Sequence, residues 1–154
     1  MCIRDREYSQ RNKVKLRTVE DLSSIGANVF RVLAVGDEDI VQKIEIDMNL
    51  RYSDTMYATR SLPNFCEILS NKSGKDKALQ WLCDSHEIDQ TEVLSFGNGF
   101  NDVDMLNWSG WGVAVRDGEF EAIAAANDVA GPVSSDGVGK YLAKLLSQNK
   151  VGIN

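Results

Sequence analysis

A short stretch in the second half of the chain carries residue types that can hold a metal ion. Residues 97–104 read GNGFNDVD, which places two amides and two carboxylates beside two glycines. Asp102 and Asp104 offer carboxylate oxygens, and Asn98 and Asn101 offer neutral amide oxygens. Oxygen donors that are few in number and leave places for water and a phosphate are the ligands that Mg²⁺ accepts. A magnesium site next to a phosphate is therefore one interpretation of this loop.

The same residues have a purely structural interpretation. Asp102 or Asn101 can cap the helix that follows by accepting hydrogen bonds from its first amides, and the glycines can simply turn the chain. Asp104 then falls in the first helical turn, where an acid favours the helix dipole. The residue types alone leave both interpretations open.

Lys75 is a second candidate for the same chemistry. It follows Ser73 and Gly74 at the predicted start of a helix, one predicted strand ahead of the acidic loop. Helix starts usually prefer acids, so a lysine is mildly unfavourable there and suggests a role in binding an anion. The alternative is an ordinary solvated lysine beside Lys72 and Lys77.

Histidine and cysteine offer little further chemistry. His86 is the single histidine, so a multi-histidine metal site is excluded, and we expect it on the surface or in a loop. Cys2, Cys66 and Cys83 are an odd, widely spaced set without a CxxC pair, which favours reduced thiols in a cytoplasm over a disulfide framework. We interpret Cys66 and Cys83 as small core residues, because no spacing indicates a cysteine–histidine nucleophile.

The elements predicted around these candidates alternate between helix and strand. The segment 93–96 is short and wholly apolar, as in strands buried inside a parallel sheet, and the acidic loop follows it directly. Ligands of open parallel sheets gather beyond the carboxyl ends of the strands. This succession predicts an α/β fold in which helices pack over a parallel sheet. Helices are predicted at 75–85, 103–110, 119–126 and 137–148, and further strands at 112–115 and 129–130.

The part of the chain before residue 70 is organised differently. A strand is predicted at 28–35, and Asp37 is predicted to cap the helix that follows it. Two segments, 53–59 and 64–69, favour strands and can pair around a loop at 60–63. A polar break begins at residue 70, and we expect a domain boundary there.

Length and composition set limits on partners. The 154 residues suffice for one compact domain, or for one domain and part of another. Lys and Arg number 17 against 23 Asp and Glu, so the net charge is −6. The sequence also has no basic stripe that could neutralise a phosphate backbone. We therefore expect neither nucleic acid nor an anionic membrane as a partner. Charged residues interrupt every apolar run well before it reaches the roughly 18 residues that a membrane-spanning helix needs. Residues 1–13 lack the apolar core of an export signal. A cytoplasmic protein is predicted.

Five motifs together resemble a known family. In chain order they are NFCEIL at 64–69, GKDKAL at 74–79, FGNGFNDVDML at 96–106, GVAV at 112–115 and SDGV at 135–138. Their order and spacing resemble the carboxyl-terminal half of Cof-type phosphatases, which belong to the haloacid dehalogenase (HAD) superfamily. The GxGxND-x-x-ML stretch with an upstream Lys-x-x-Ala-Leu is fairly specific as a pair.

The resemblance implies Mg²⁺-dependent hydrolysis of phosphate monoesters on small metabolites, often sugar phosphates. It implies a Rossmann-like HAD core with an aspartate nucleophile in an amino-terminal DxD motif, and a mobile α/β cap that selects the substrate. By position, Lys75 resembles the lysine that stabilises the nucleophile and the transferring phosphoryl group. Asp102 resembles the metal-site acid, Asn101 the amide near the phosphate, and Asn98 stands at the position of a further metal ligand. A lysine and a carboxylate-bound Mg²⁺ suit the charge that develops in phosphoryl transfer.

The chain is expected to divide into three parts. Residues 1–13 are polar and charged, and they would be a disordered or non-native leader. The resemblance implies the other two parts. Residues 14–69 would form the later part of an α/β cap domain. Residues 70–154 would form the carboxyl-terminal half of the HAD-like core.

The chain departs from the family pattern at three places. Asn98 stands where the family usually has an aspartate, which weakens a metal ligand. Asp76 stands where a glycine is common, and it can pair with Lys75 and reduce its charge. No DxDGT-like segment follows an apolar strand, and the acids near Asp37 are better interpreted as a helix cap. We therefore expect a fragment of a phosphatase that is inactive by itself, and poorly soluble because a sheet edge and apolar helix faces are uncovered.

Two alternatives stay open. A non-catalytic HAD-like binding or regulatory protein would keep the fold without the chemistry, and Asn98 favours it. An unrelated small α/β domain with a purely structural loop predicts no Mg²⁺-dependent change in stability. The sequence identifies neither the phosphorylated substrate nor the oligomeric state.

Overall fold

The computed structural model describes residues 3–26 and 29–148. The chain divides into two compact units, Met1–Phe30 and Arg31–Asn154. In the first unit, helix α1 (Ile3–Asn12) is followed by a 3-10 turn at Leu22–Ser24. A helix thus occupies most of the segment that the sequence assigns to a disordered or non-native leader, and that assignment stays a prediction.

Three antiparallel strands form the first sheet of the second unit. Strands β1 (Val32–Val35) and β2 (Met56–Leu62) both pair with β3 (Phe65–Ser70), which gives the order β1-β3-β2. Helix α2 (Glu38–Tyr52) lies between β1 and β2 in the chain. It buries Val41 fully in a small apolar core shared with β2 and β3.

The predicted pairing of two strands before residue 70 is confirmed, but their boundaries differ. The loop predicted at 60–63 is wrong, because β2 continues through Leu62 and the chain turns only at the next two residues. Arg60 stays in the strand, where it pairs in register with Cys66 of β3, and Glu45 of α2 accepts hydrogen bonds from both its backbone amide and its guanidinium group. Strand β1 is shorter than the predicted 28–35, and residue 28 lies outside the described residues.

The second sheet is parallel. Its strands are β4 (Leu94–Gly97), β5 (Trp111–Val115) and β6 (Asp128–Ala130), in the order β4-β5-β6. The predicted α/β fold, with helices alternating along a parallel sheet, is confirmed. The helices of this part are α3 (Lys75–His86), α4 (Val103–Trp108), α5 (Phe120–Ala125) and α6 (Gly137–Ser147).

Two glycines allow α4 to lie close to the parallel sheet. A Cβ atom on Gly97 would lie 2.5 Å from the Cβ of Asp102 and 3.1 Å from Cδ1 of Leu106. A Cβ atom on Gly112 would overlap the carbonyl oxygen of Leu106. The absence of side chains at both positions therefore sets the distance between the sheet and the turn that carries the acidic residues.

The predicted domain boundary at residue 70 coincides with the last residue of β3. Residues 31–154 nevertheless form one compact unit that holds both sheets, so the division into cap and core stays a prediction. Within the described ranges 3–26 and 29–148, no helix combines the length and the apolar character that crossing a membrane requires.

Candidate functional site

The acidic loop lies at the carboxyl edge of the parallel sheet. Gly97 of β4 is paired in register with Ala114 of β5, so the residues after β4 emerge where β5 also nears its end. The chain then makes a 3-10 turn at Phe100–Asp102 and enters α4 directly. This is the edge at which open parallel sheets bind ligands.

Asp102 is the buried centre of this loop. Its side chain is 5% exposed. Its Oδ2 atom accepts hydrogen bonds from the backbone amides of Asn98, at 2.8 Å, and Gly99, at 3.0 Å. The capping of α4 by the Asp102 side chain, one part of the structural interpretation, is wrong, because its bonds run back to the amides before the helix.

Lys75 meets Asp102 from the first residue of α3. Its ammonium group donates a hydrogen bond to Oδ1 of Asp102 and lies 3.4 Å from Oδ1 of Asn101. The Lys75 side chain is 48% exposed, so the pair is open to solvent on the lysine side. Three of the four site residues that the sequence predicts, Lys75, Asn101 and Asp102, are thus brought together. The fourth, Asn98, contributes its backbone amide, and it is an exposed residue.

The electrostatic environment keeps Asp102 ionised. Burial raises the pKa of its carboxyl group, but the hydrogen bonds from Lys75 and from the amides of Asn98 and Gly99 outweigh burial. The pKa of Asp102 therefore lies below its ordinary value. A buried carboxylate that stays charged at neutral pH is the form that binds a cation.

The loop that follows β5 supports the acidic loop. The carbonyl oxygen of Asn98 accepts a hydrogen bond from the amide of Glu119 at 2.8 Å. Gly118 leaves room for this contact, since a Cβ atom there would lie 2.8 Å from the same oxygen. The acidic loop is therefore held on one side by Lys75 and on the other by the turn that leads into α5.

Two contacts from the antiparallel sheet to the acidic loop were not predicted. The guanidinium carbon of Arg60 lies 3.9 Å above the centre of the Phe100 ring, and Tyr57 donates a hydrogen bond of 2.7 Å from its hydroxyl to Oδ2 of Asp104. Burial and the nearby Asp104 carboxylate raise the pKa of Tyr57, so it remains a donor. The sequence pattern of the strand could not reveal these contacts, because their partners are distant in the chain: 47 positions separate Tyr57 from Asp104.

The sequence also predicted that Asp76 could pair with Lys75, and this is wrong. The Asp76 carboxylate lies 3.2 Å from the ammonium group of Lys77 instead.

Cys66 and Cys83 are free and buried, as predicted for small core residues. Burial raises the pKa of the Cys66 thiol to about 11. The Cys66 thiol is therefore not suited to nucleophilic chemistry at neutral pH.

The described residues offer a restricted metal site. No group of three or more His, Cys, Asp or Glu side chains within residues 3–26 and 29–148 could hold a metal ion. The loop supplies the carboxylate of Asp102 and the neutral amides of Asn98 and Asn101, whereas the carboxylate of Asp104 accepts a hydrogen bond from Tyr57. Mg²⁺ is commonly held by one or two carboxylates together with waters and a phosphate, so these residues fit such an ion if Lys75 releases Oδ1 of Asp102.

Comparisons with known proteins agree with this arrangement. A family model described as haloacid dehalogenase-like hydrolase matches residues 3–142. The 5-amino-6-(5-phospho-D-ribitylamino)uracil phosphatase YitU of Bacillus subtilis is 29% identical over 133 residues, which cover 84% of this chain and 49% of the relative.

Solved structures share the fold. A haloacid dehalogenase-like hydrolase from Bacteroides thetaiotaomicron is 26% identical with a TM-score of 0.68, and the match covers 92% of this chain and 53% of that one. The HAD subclass IIB sugar phosphatase BT4131 has a TM-score of 0.67 at 24% identity, and the match covers 77% of this chain and 44% of that one.

The chain spans about half the length of the curated relatives it matches. The family model covers both sheets, the lysine at the start of α3 and the acidic loop after β4. The matched residues also include all five motifs on which the sequence resemblance rested. The chain therefore belongs to the haloacid dehalogenase-like hydrolases, as a member of the Cof-type phosphatase family.

Proposed function

We propose that this chain supplies the phosphate-binding and metal-binding half of a Mg²⁺-dependent phosphatase that acts on small phosphorylated metabolites. The observation that carries the proposal is the pairing of Lys75 with the buried carboxylate of Asp102 at the carboxyl edge of the parallel sheet. A cation and an ionised acid at this edge are the groups that phosphoryl transfer needs for charge stabilisation.

Each of the proposed site residues has a separate task. The Lys75 ammonium group neutralises the negative charge that spreads over the phosphoryl oxygens during transfer. Asp102 holds the metal ion, and the Asn101 amide, 3.4 Å from Lys75, orients the phosphate. Mg²⁺ supplies further positive charge when bound. Asn98 is a weak ligand because its amide is neutral, so we expect a low metal affinity.

The chain by itself is not expected to turn over substrate. No DxDGT-like segment follows an apolar strand in its 154 residues, so the aspartate that would accept the phosphoryl group is missing from this sequence. We propose that the activity belongs to a longer protein of the length of its relatives. In that protein, residues 70–154 would complete the core and the antiparallel sheet would belong to the cap.

The substrate class is proposed from chemistry and from relatives together. YitU is named for a phosphorylated ribityl compound, and BT4131 is named a sugar phosphatase. Both names describe a phosphate monoester on a polyhydroxylated carbon chain. We propose the same class, a sugar or sugar-alcohol phosphate, for the protein to which this chain contributes.

Ligand binding to the purified chain tests the proposal. Isothermal titration with inorganic phosphate is carried out with and without Mg²⁺ on the wild-type chain and on Asp102→Asn, which preserves the shape of the side chain. We expect weak binding that requires Mg²⁺ in the wild type and is lost in Asp102→Asn. Absence of phosphate binding to a folded wild-type chain would contradict the proposed site.

A turnover assay tests the claim that the chain is inactive. Release of phosphate from p-nitrophenyl phosphate and from a panel of sugar phosphates is expected to be at background. Mg²⁺-dependent release that disappears in Asp102→Asn would overturn this part of the proposal. The same release from both proteins would indicate a contaminating phosphatase.

A non-catalytic binding protein is the second candidate, and Asn98 in place of an acid is the observation that favours it. Such a protein would retain phosphate binding through Lys75 without needing a metal. Phosphate binding of equal strength with and without Mg²⁺ would support it. Binding that requires Mg²⁺ would support the phosphatase.

A further inference from the structure

Both oxygens of the Asp102 carboxylate are already in use. Oδ2 accepts two backbone amides, which the turn at Phe100–Asp102 fixes in place, while Oδ1 accepts the Lys75 ammonium group. An incoming divalent cation cannot displace the backbone amides without unfolding the turn. The Oδ1 atom, held by a side chain alone, is therefore the position that a metal ion can take.

Lys75 is suited to leave that position. Its side chain is 48% exposed, and Asn101 offers a neutral acceptor 3.4 Å from its ammonium group. An ammonium group and a divalent cation on one carboxylate oxygen would repel each other strongly at such short range. Occupation of Oδ1 by Lys75 and occupation by a metal ion therefore exclude one another.

We propose that Lys75 is an internal competitor for the metal position on Asp102, and that a bound phosphate removes this competition by drawing the Lys75 ammonium group to itself. Metal and phosphate then bind cooperatively, with Lys75 as the switching element. This inference rests on the proposed function and adds the coupling between its two ligands. By linkage, the metal must strengthen phosphate binding by the same factor that phosphate strengthens metal binding.

Mn²⁺ titrations monitored by electron paramagnetic resonance test the competition on the intact chain. Lys75→Gln removes the ammonium group and keeps a polar side chain. Lys72→Gln is the matched control, because it removes one positive charge three residues earlier without touching Asp102. Circular dichroism confirms that each variant is folded. We expect Lys75→Gln to bind Mn²⁺ about five- to tenfold more tightly than wild type, in the lower part of the range usual for coupled sites, and Lys72→Gln to match wild type.

The same titrations in the presence of inorganic phosphate test the coupling. Protein-free titrations correct for the complex between Mn²⁺ and phosphate in solution. Phosphate is expected to tighten Mn²⁺ binding in the wild type and in Lys72→Gln, but not in Lys75→Gln.

Three results would count against the inference in different ways. Equal Mn²⁺ affinity of wild type and Lys75→Gln overturns the competition and leaves the metal site of the proposed function intact. A phosphate effect of equal size in both proteins overturns the role of Lys75 in the coupling. Folded proteins that bind no Mn²⁺ in any form overturn both the inference and the metal site of the proposed function.

Discussion

The two sheets of the second unit handle buried charge in different ways. Between α2 and β2, Arg60 and Glu45 pair at 2.7 Å with side chains that are only 7% and 17% exposed. At the edge of the parallel sheet, Asp102 is 5% exposed but its partner Lys75 is 48% exposed. A pair that is buried on both sides offers a ligand little access, whereas the exposed ammonium group of Lys75 can leave Asp102 for another partner. The difference in burial therefore makes the Lys75–Asp102 pair the better candidate site.

Removing the charge of Glu45 should give the largest effect. Glu45→Gln leaves the buried guanidinium of Arg60 without its carboxylate, and breaking one partner of a buried pair costs about 3 kcal/mol. The free energy of unfolding from urea titrations measures this loss. The matched control is Glu67→Gln in the same sheet, whose partner Arg31 at 3.0 Å is 48% exposed. We expect the control to lose about 1 kcal/mol or less, and equal losses would show that burial does not distinguish the two pairs.

A steric change at the edge of the parallel sheet should rank second. Gly97→Ala places a methyl group 2.5 Å from the Cβ of Asp102, and overpacking against a short turn costs about 2 kcal/mol. Gly26→Ala is the control, because nothing lies within 4 Å of the added atom. Urea unfolding should show a change of about 0.5 kcal/mol or less for the control. A Gly97→Ala chain as stable as the control would mean that the turn can move away from the sheet.

Much of the parallel half could be predicted from the sequence, because its signals are local. Val113, Ala114 and Val115 are consecutive apolar residues and all are buried, as expected for a strand covered on both faces. The glycines around the acidic loop marked its turn, and the loop follows the strand directly. The placement of Lys75 next to Asp102 was implied by the family resemblance, since 27 positions separate the two residues in the chain.

The antiparallel half was predicted less well, because its decisive contacts are distant in sequence. Arg60 looked like part of a polar loop, but it pairs in register with Cys66 of β3, and its guanidinium group binds the carboxylate of Glu45, 15 residues earlier. The Asp76 prediction failed because Lys75 donates to Asp102 instead, and the Asp76 carboxylate pairs with Lys77. A charged residue whose partner is distant in the chain is thus hard to place from sequence patterns.

The open pair should also give the chain a pH dependence, with a smaller effect because burial of Asp102 offsets part of its pairing. The pKa of Asp102 is lower in the folded chain than the value of about 3.9 expected on unfolding. Its contribution is therefore complete above this value and is lost as the pH falls through the folded-state pKa. Urea unfolding between pH 7 and pH 3 should show a steeper loss in the wild type than in Asp102→Asn. Parallel curves would contradict the assigned direction.

The smallest expected effect concerns the contact between the two regions. Phe100→Leu removes the ring over which the buried Arg60 lies at 3.9 Å, and because Phe100 is only half-buried we expect this cation–π contact to contribute about 1 kcal/mol. Phe100→Tyr keeps the ring and should unfold at the wild-type urea concentration. If both variants lose the same stability, shape at this position matters and the guanidinium contact does not. If only the leucine variant loses stability, the Arg60–Glu45 pair also stabilises the turn that carries Asp102. Arg60 would then connect Glu45 of the antiparallel sheet region to the acidic loop.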